Sequence, residues 1–305
     1  MSVPASGGVL RYLRAKGSVD ARSVNLRVRE ACVRALAELP ADRPLRVLEL
    51  GGGAGGAFRY WMSLLVPFQR VEFTATDRDG GLLEAYRDEV VSLAGELGLP
   101  VAGDQPGRLR IEDGGRVIDL RLRRVVAPEG FPKEDEGSFE LMVAQSFWDL
   151  VPAGTPPALG RQLLAPGGIF YATLTFSGGT RFAPPHELDR RLLHCYHASM
   201  GGERGGDPYA GERLLGHVRV PGSGFSELAT GRSDWRVNPM DEGYLADEKF
   251  FLLTVLGFIE KELLTSTEVR DDELDWWMGV RRRQLADGKL SYAARQQDLV
   301  ARRDG

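Results

Sequence analysis

The stretch Arg46-Val47-Leu48-Glu49-Leu50-Gly51-Gly52-Gly53-Ala54-Gly55-Gly56 constrains the fold of this chain more than any other. It reads as a short buried strand that ends in an acid and breaks at once into a glycine loop. Residues 58–65 then turn helical. A strand, a glycine turn and a helix in that order build a nucleotide-binding corner, because only glycine lets the backbone come so close to a ligand. A second strand over 71–77 ends in Asp77, 22 residues past Gly55. That is close to the ~20-residue spacing at which a carboxylate takes the ribose hydroxyls of a bound nucleoside.

Two glycine spacings overlap here. Gly51, Gly53 and Gly56 fit G-x-G-x-x-G, the dinucleotide fingerprint, which is weak alone. Gly51, Gly53 and Gly55 fit an alternating pattern with an acid two positions before it, Glu49-x-Gly-x-Gly-x-Gly. The second pattern resembles motif I of class I S-adenosylmethionine (SAM) dependent methyltransferases. A pyrophosphate wants helix-end amides and no carboxylate beside it. SAM carries an ammonium and a sulfonium, and tolerates an acid such as Glu49 there. Two further stretches carry the resemblance. Residues 139–150 are similar to motif IV, and Leu163-Leu164-Ala165-Pro166-Gly167-Gly168 with the apolar run behind it is similar to the entry to that family's fifth strand. Together they cover residues 45–176, and the later elements resemble bacterial small-molecule members of the family.

The resemblance implies an α/β Rossmann-like fold. Its sheet is mostly parallel with an antiparallel last strand, and helices lie on both faces. Residues 1–44 are expected to form a helical N-terminal cap, 45–305 the methyltransferase domain, and 178–224 a lid insertion. A hairpin is expected over 108–126 around Asp113-Gly114-Gly115, a helix over 80–97, and a sixth strand within 225–237. The last strand is expected from 290–292 or 297–300. For the N-terminal helices, an ordinary packing role on the sheet edge stands beside the capping role.

The implied activity is in-line transfer of a methyl group from SAM to a small-molecule acceptor, leaving S-adenosylhomocysteine. Such a displacement gains mainly from alignment, and a general base is needed only when the acceptor holds its proton. Glu49 would take the cofactor's amino group, directly or through water, or else bond backbone amides. Gly51, Gly53 and Gly55 would form the backbone cradle, and Asp77 would hold the ribose. Gln145 would meet the methionine end or pack at the strand end. Trp148 and Asp149 would border the acceptor, with Asp149 as orienting group, base or cap of a helix near Thr155. His197 is a candidate base from the lid, against a bland polar helix. His194 and His197 share a helix face, but no third metal ligand is visible, so no metal is expected. The adenine contact is unassigned.

Other readings are weaker. An NAD(P)-dependent oxidoreductase could use the same corner, but Glu49, the Pro-Gly-Gly turn and the lack of a Tyr-x-x-x-Lys set disfavour it. A non-catalytic SAM-binding scaffold keeps the fold, although the glycines and both acids are present. A net charge of −4 opposes nucleic acid as the partner, and no Asn-Pro-Pro-Tyr motif follows the fourth strand. The basic residues are five lysines against 34 arginines, a skew expected of a GC-rich genome. Arg281-Arg282-Arg283 reads as one solvated helix face. Two cysteines make no disulfide framework. No signal peptide or membrane-spanning run is evident, so a cytoplasmic location away from membranes is expected.

Overall fold

The computed structural model describes residues 6–103, 105–201, 206–241 and 243–305. Three helices come first, α1 (Ser6–Ala15), α2 (Gly17–Ser23) and α3 (Leu26–Ala37). Asn25 caps α3, its side chain accepting from the amides of Arg27 and Val28. The alternation then begins: β1 (Leu45–Leu50), α4 (Phe58–Leu64), β2 (Arg70–Asp77) and α5 (Gly80–Leu97). Asp79 caps α5, which stops at Gly98 in the left-handed conformation that only glycine adopts cheaply.

A two-residue β3 (Val101–Ala102) precedes the expected hairpin, β4 (Arg108–Asp113) and β5 (Arg116–Arg124). Gly114 and Gly115 both have positive φ, as a tight hairpin turn requires. The chain continues through β6 (Phe139–Gln145), α6 (Thr155–Leu163), β7 (Leu164–Ala183), α7 (Asp189–Met200), α8 (Ala210–Arg219), β8 (Phe225–Arg232) and β9 (Trp235–Val237). It ends with α9 (Glu248–Leu263), α10 (Asp271–Ala286) and β10 (Ser291–Arg303). Both segments expected to supply the last strand thus belong to one.

The sheet order is β3-β4-β5-β2-β1-β6-β7-β10-β8, with β9 alongside β10. Strands β5, β2, β1, β6 and β7 are parallel, and β10 runs antiparallel to both β7 and β8. The fold is therefore the α/β Rossmann-like one, with its antiparallel final strand inserted beside β7. Strand residues alternate between two cores. Val47, Val143 and Tyr171 join α3, α4 and α5 on one face, while Leu48, Met142 and Phe170 join α6 and α8 on the other.

One departure from helices on both faces lies beside β2 and β5. Their connection to β6 holds only a single 3₁₀ turn (Lys133–Asp135). The outer face there, with Glu72, Thr74, Arg110, Asp119 and Arg121, borders an open cleft of about 920 Å³.

A second departure concerns the expected lid insertion. Residues 178–183 continue β7, paired with β10, and α8 packs on β7, β8 and β10 as an ordinary covering helix. Only α7 stands apart. It joins a third core beyond the strand ends, built from Phe176, Phe182, Trp235, Phe251, Trp277 and Tyr292 with Ala15 and Val19 of the N-terminal helices. Arg281 lies inside that region, fully buried against Asp189, which corrects its reading as part of a solvated face. Among the described residues, no helix is long and apolar enough to cross a membrane.

Candidate functional site

In a mostly parallel sheet, ligands bind beyond the carboxyl ends of the strands, where successive connections run to opposite sides. Here that point lies between β1, whose chain leaves for β2, and β6 on its other flank. The glycine loop leaves β1 at this position. Gly51, Gly53 and Gly55 have φ of 63°, 54° and 80°, an alternation of left-handed residues that bends the backbone sharply. A Cβ on Gly51 would lie 2.4 Å from the Phe147 ring, and one on Gly55 would lie 3.1 Å from Tyr86. Gly56 has no such need, since a Cβ there would meet nothing within 4 Å. The glycines that the backbone demands are those of the alternating pattern, not the third glycine of the dinucleotide fingerprint.

Asp77 ends β2 beside the loop. Its Oδ2 accepts the Gly53 amide at 3.0 Å and its Oδ1 the Asp79 amide at 3.0 Å. The carboxylate is half-buried and has further acceptor sites for hydroxyl donors. The acid that faces the loop is Asp77, and a carboxylate there suits ribose hydroxyls or a cationic ligand better than a pyrophosphate.

Glu49 is placed differently from the expectation. It follows the same face of β1 as Val47 and is only 2 % exposed. Its Oε1 accepts from the Trp61 indole and its Oε2 from the Tyr86 hydroxyl, both at 2.6 Å. The carboxyl lies beneath the loop, 3.2 Å from where a Gly52 Cβ would be. Direct contact with a ligand ammonium, and the alternative of bonding backbone amides, both give way to support of the loop from below.

Burial pushes Glu49 up to about 7, against the opposing hydrogen bonds of Tyr86 and Trp61. The folded chain therefore holds this proton more tightly than the unfolded chain. The stabilisation is complete below about pH 4.5 and is lost as pH rises through about 7, on the order of 3 kcal/mol in all. Glu49→Gln keeps an acceptor for Trp61 and can donate to the Tyr86 oxygen. Its urea-unfolding midpoint is expected to fall less than that of the wild type between pH 5 and 8. Asp149 and Asp298, both pushed up to about 6 by burial, would supply the remaining slope. Parallel slopes in the two proteins would refute this assignment.

Beyond β6 the chain turns abruptly. Ser146 has φ of 50°, a strained value for a residue other than glycine, and donates its amide to Thr173 of β7. Trp148 then turns into the core, 1 % exposed and stacked on Phe170 at 5.4 Å. This corrects its expected place beside the acceptor: Phe147, not Trp148, faces the glycine loop. Asp149 caps no helix near Thr155, since Gly154 holds that position. Its Oδ1 is buried without a hydrogen-bond partner, and burial is the main cause of its raised pKa.

The N-terminal helices close over this region. Leu13 would lie 3.4 Å from a Cβ on Gly53. Lys16 Nζ pairs with Asp20 Oδ2 at 2.6 Å and reaches Ser146 Oγ at 3.4 Å. Gln145 donates to the same Asp20 oxygen at 3.2 Å and accepts from Thr173 at 3.4 Å, tying cap to strand ends. Sequence reasoning missed Lys16 and Asp20. The signal was the scarcity of lysine and the i, i+4 spacing of the pair.

His197 of α7 bonds Thr180 Oγ1 at 2.9 Å and lies against Phe176, ring centres 5.4 Å apart. Burial first, and His194 second, push it down to about 4. It is a neutral hydrogen-bonding group at physiological pH and a weak base. His194 is exposed, and among the described residues no group of three ligating side chains is arranged for a metal ion.

No protein-family model matches the chain, and no curated protein does. Among solved structures it is similar to a geranyl diphosphate methyltransferase in complex with SAM, at 12 % identity over 99 % of this chain and 92 % of that one, TM-score 0.42. It is also similar to the cyclopropane synthase MmaA2 from Mycobacterium tuberculosis, at 13 % identity over 90 % and 83 %, TM-score 0.44. A geranyl diphosphate C-methyltransferase from Streptomyces coelicolor A3(2) matches at 10 % identity over 99 % and 87 %, TM-score 0.45.

Proposed function

We propose that the chain is a SAM-dependent methyltransferase acting on a small-molecule acceptor. The observation that carries this reading is the set of three alternating left-handed glycines, Gly51, Gly53 and Gly55, tethered to the Asp77 carboxylate at the sheet's switch point. The residues present fit SAM: a close backbone approach, and at the loop the Asp77 carboxylate, free to take two ribose hydroxyls. SAM supplies an electrophilic methyl group on a positively charged sulfur.

The protein's own part is alignment and proton handling. Gly51, Gly53 and Gly55 let the backbone approach the cofactor, and Asp77 orients it through the ribose. Phe147 packs against Gly51 and Leu13 against Gly53. Gln145 and Lys16 fix the position of Asp20 at the mouth of β6. Burial pushes Asp149 up to about 6 and His197 down to about 4, so Asp149 would be the stronger base of the two toward an acceptor. Asp149→Asn is therefore expected to lower kcat by about 100-fold or more for an acceptor that must lose a proton. His197→Gln is expected to change it by less than about threefold. The reverse ranking would return the base role to His197.

The cofactor is tested first by calorimetric titration with SAM, S-adenosylhomocysteine and NAD(H) in parallel. Binding of the two adenosyl ligands with none of NAD(H) is the expected result. Binding of NAD(H) alone would make the same corner that of an oxidoreductase.

A further inference from the structure

Methyl transfer at the glycine loop makes no use of the open cleft beside β2 and β5. The cleft measures about 920 Å³ and lies where the connection from β5 to β6 holds a 3₁₀ turn in place of a covering helix. Its floor is the outer face of the sheet, and the strand register sets that face in rows. One row runs Arg46, Glu72, Asp119 and Arg110 across β1, β2, β5 and β4. Charge is balanced there. Arg110 grips Asp119 through two bonds of 2.7 and 2.9 Å. Arg43 and Arg46 reach Glu140 at 3.5 and 2.8 Å, and Arg46 neighbours Glu72 in the ladder. Toward the carboxyl end of β5, Arg123 pairs with Asp135 at 2.8 Å.

The row between them is different. It runs Thr74, Arg121 and Arg108. Arg121 and Arg108 stand directly opposite each other in the antiparallel ladder, where Cβ atoms lie about 5 Å apart and like charges are destabilising. Among the described residues neither guanidinium has an ion pair or a side-chain hydrogen bond. The acids nearest along the strands, Asp119 and Asp135, are held by Arg110 and Arg123. Two positive charges are thus left together on the floor of a cleft, in a chain whose net charge is −4. A guanidinium is a fork of donors shaped for the oxygens of phosphate or carboxylate. Two such forks at one spot match an anion that carries two charges on a single group.

We propose that this cleft is a second ligand site, in which Arg108 and Arg121 hold the phosphate group of a small phosphate monoester. The like-charged pair, costly in the empty cleft, is relieved when the dianion lies between the two side chains. The organic part of the ligand carries hydroxyls, because the other lining groups are acceptors and neutral donors. Glu134 of the 3₁₀ turn lines the cleft and has no ion pair among the described residues, and Gln105 and Thr74 line it as well. The volume falls within the roughly 300–1,000 Å³ of small-molecule sites. An acidic polypeptide fits worse. It would need a longer row of unpaired cations, whereas every other arginine that lines the cleft is already matched with an acid.

The test titrates the full chain with glycerol 3-phosphate, glycerol and a polyglutamate peptide at constant ionic strength and about pH 8, where a phosphate monoester is doubly charged. Glycerol 3-phosphate is expected to bind, glycerol not to, and the peptide to bind more weakly than the phosphate. Arg108→Gln and Arg121→Gln should each weaken glycerol 3-phosphate by about tenfold or more. Both side chains are exposed, so neither change removes a core contact, and the wild-type ranking stands without them. Arg59→Gln, which removes an exposed arginine of α4 outside the cleft, should change the affinity by less than about twofold. Saturating S-adenosylhomocysteine should leave it unchanged, because the phosphate does not sit on the glycine loop. Absence of binding, competition with S-adenosylhomocysteine, or an equal loss in Arg59→Gln would each overturn the proposal. So would full affinity in both cleft variants. Tighter binding of the peptide would also overturn it and make the cleft a surface for an acidic protein.

Discussion

Arg281→Ala is expected to destabilise the chain by about 3–5 kcal/mol, the range for breaking a buried ion pair from one side. Arg281 projects from α10 with no exposure to solvent. Its guanidinium pairs with Asp189 at the start of α7, and donates to the Pro184 carbonyl and to Gln284 Oε1, each at 2.7 Å. It also lies 5.3 and 5.4 Å from the centres of the Phe182 and Trp277 rings. Asp189 in turn accepts from the Trp277 indole at 2.8 Å and from the His186 amide at 2.9 Å. Alanine would leave that carboxylate in low dielectric with neutral donors only, beside a cavity the size of the lost side chain. Urea unfolding measures the loss. The double variant Arg281→Met with Asp189→Asn should recover part of it, because it removes the stranded charge and refills the space. A loss below about 1 kcal/mol for Arg281→Ala would mean that the pair contributes no more than an exposed one.

This pair also shows where sequence reasoning stops. The triplet Arg281-Arg282-Arg283 carries no mark of burial, and the partner that makes burial tolerable stands 92 positions away. Local patterns fared better wherever the physics was local. The glycine loop, the helix over 80–97 and the Gly114-Gly115 turn were legible because each is set by local sequence. So were β1 and β6, buried on both faces along most of their length and rich in apolar residues. Glu49 was identified as part of the corner, yet the direction of its side chain needed one more step. Strand alternation puts it on the face of Val47, where Trp61 and Tyr86 wait. Trp148 could not be placed that way, because Phe147 leaves the strand with φ −123° and ψ −39° and alternation ends there. The Lys16–Asp20 pair was hidden for another reason. Its value comes from contacts with Ser146 and Gln145, which meet it only when the cap folds over the strand ends.

Asp77→Ala should weaken SAM binding by about 30- to 1,000-fold, the equivalent of about 2–4 kcal/mol for two hydrogen bonds to a charged group. The fold should survive, since Asp77 ends a strand and is only half-buried. Two causes could produce the same loss. Asp77 already holds the Gly53 amide at 3.0 Å, so alanine could act by loosening the glycine loop rather than by losing the ribose. The two are separated by the ligand, not by a second mutation. The wild type should prefer S-adenosylhomocysteine over its 2′-deoxy analogue, because a carboxylate that binds the hydroxyl registers its removal. In Asp77→Ala that preference should vanish if the carboxylate touches the hydroxyl, as expected. If both ligands instead weaken by the same factor and the preference persists, Asp77 acts on the loop alone and another group holds the ribose.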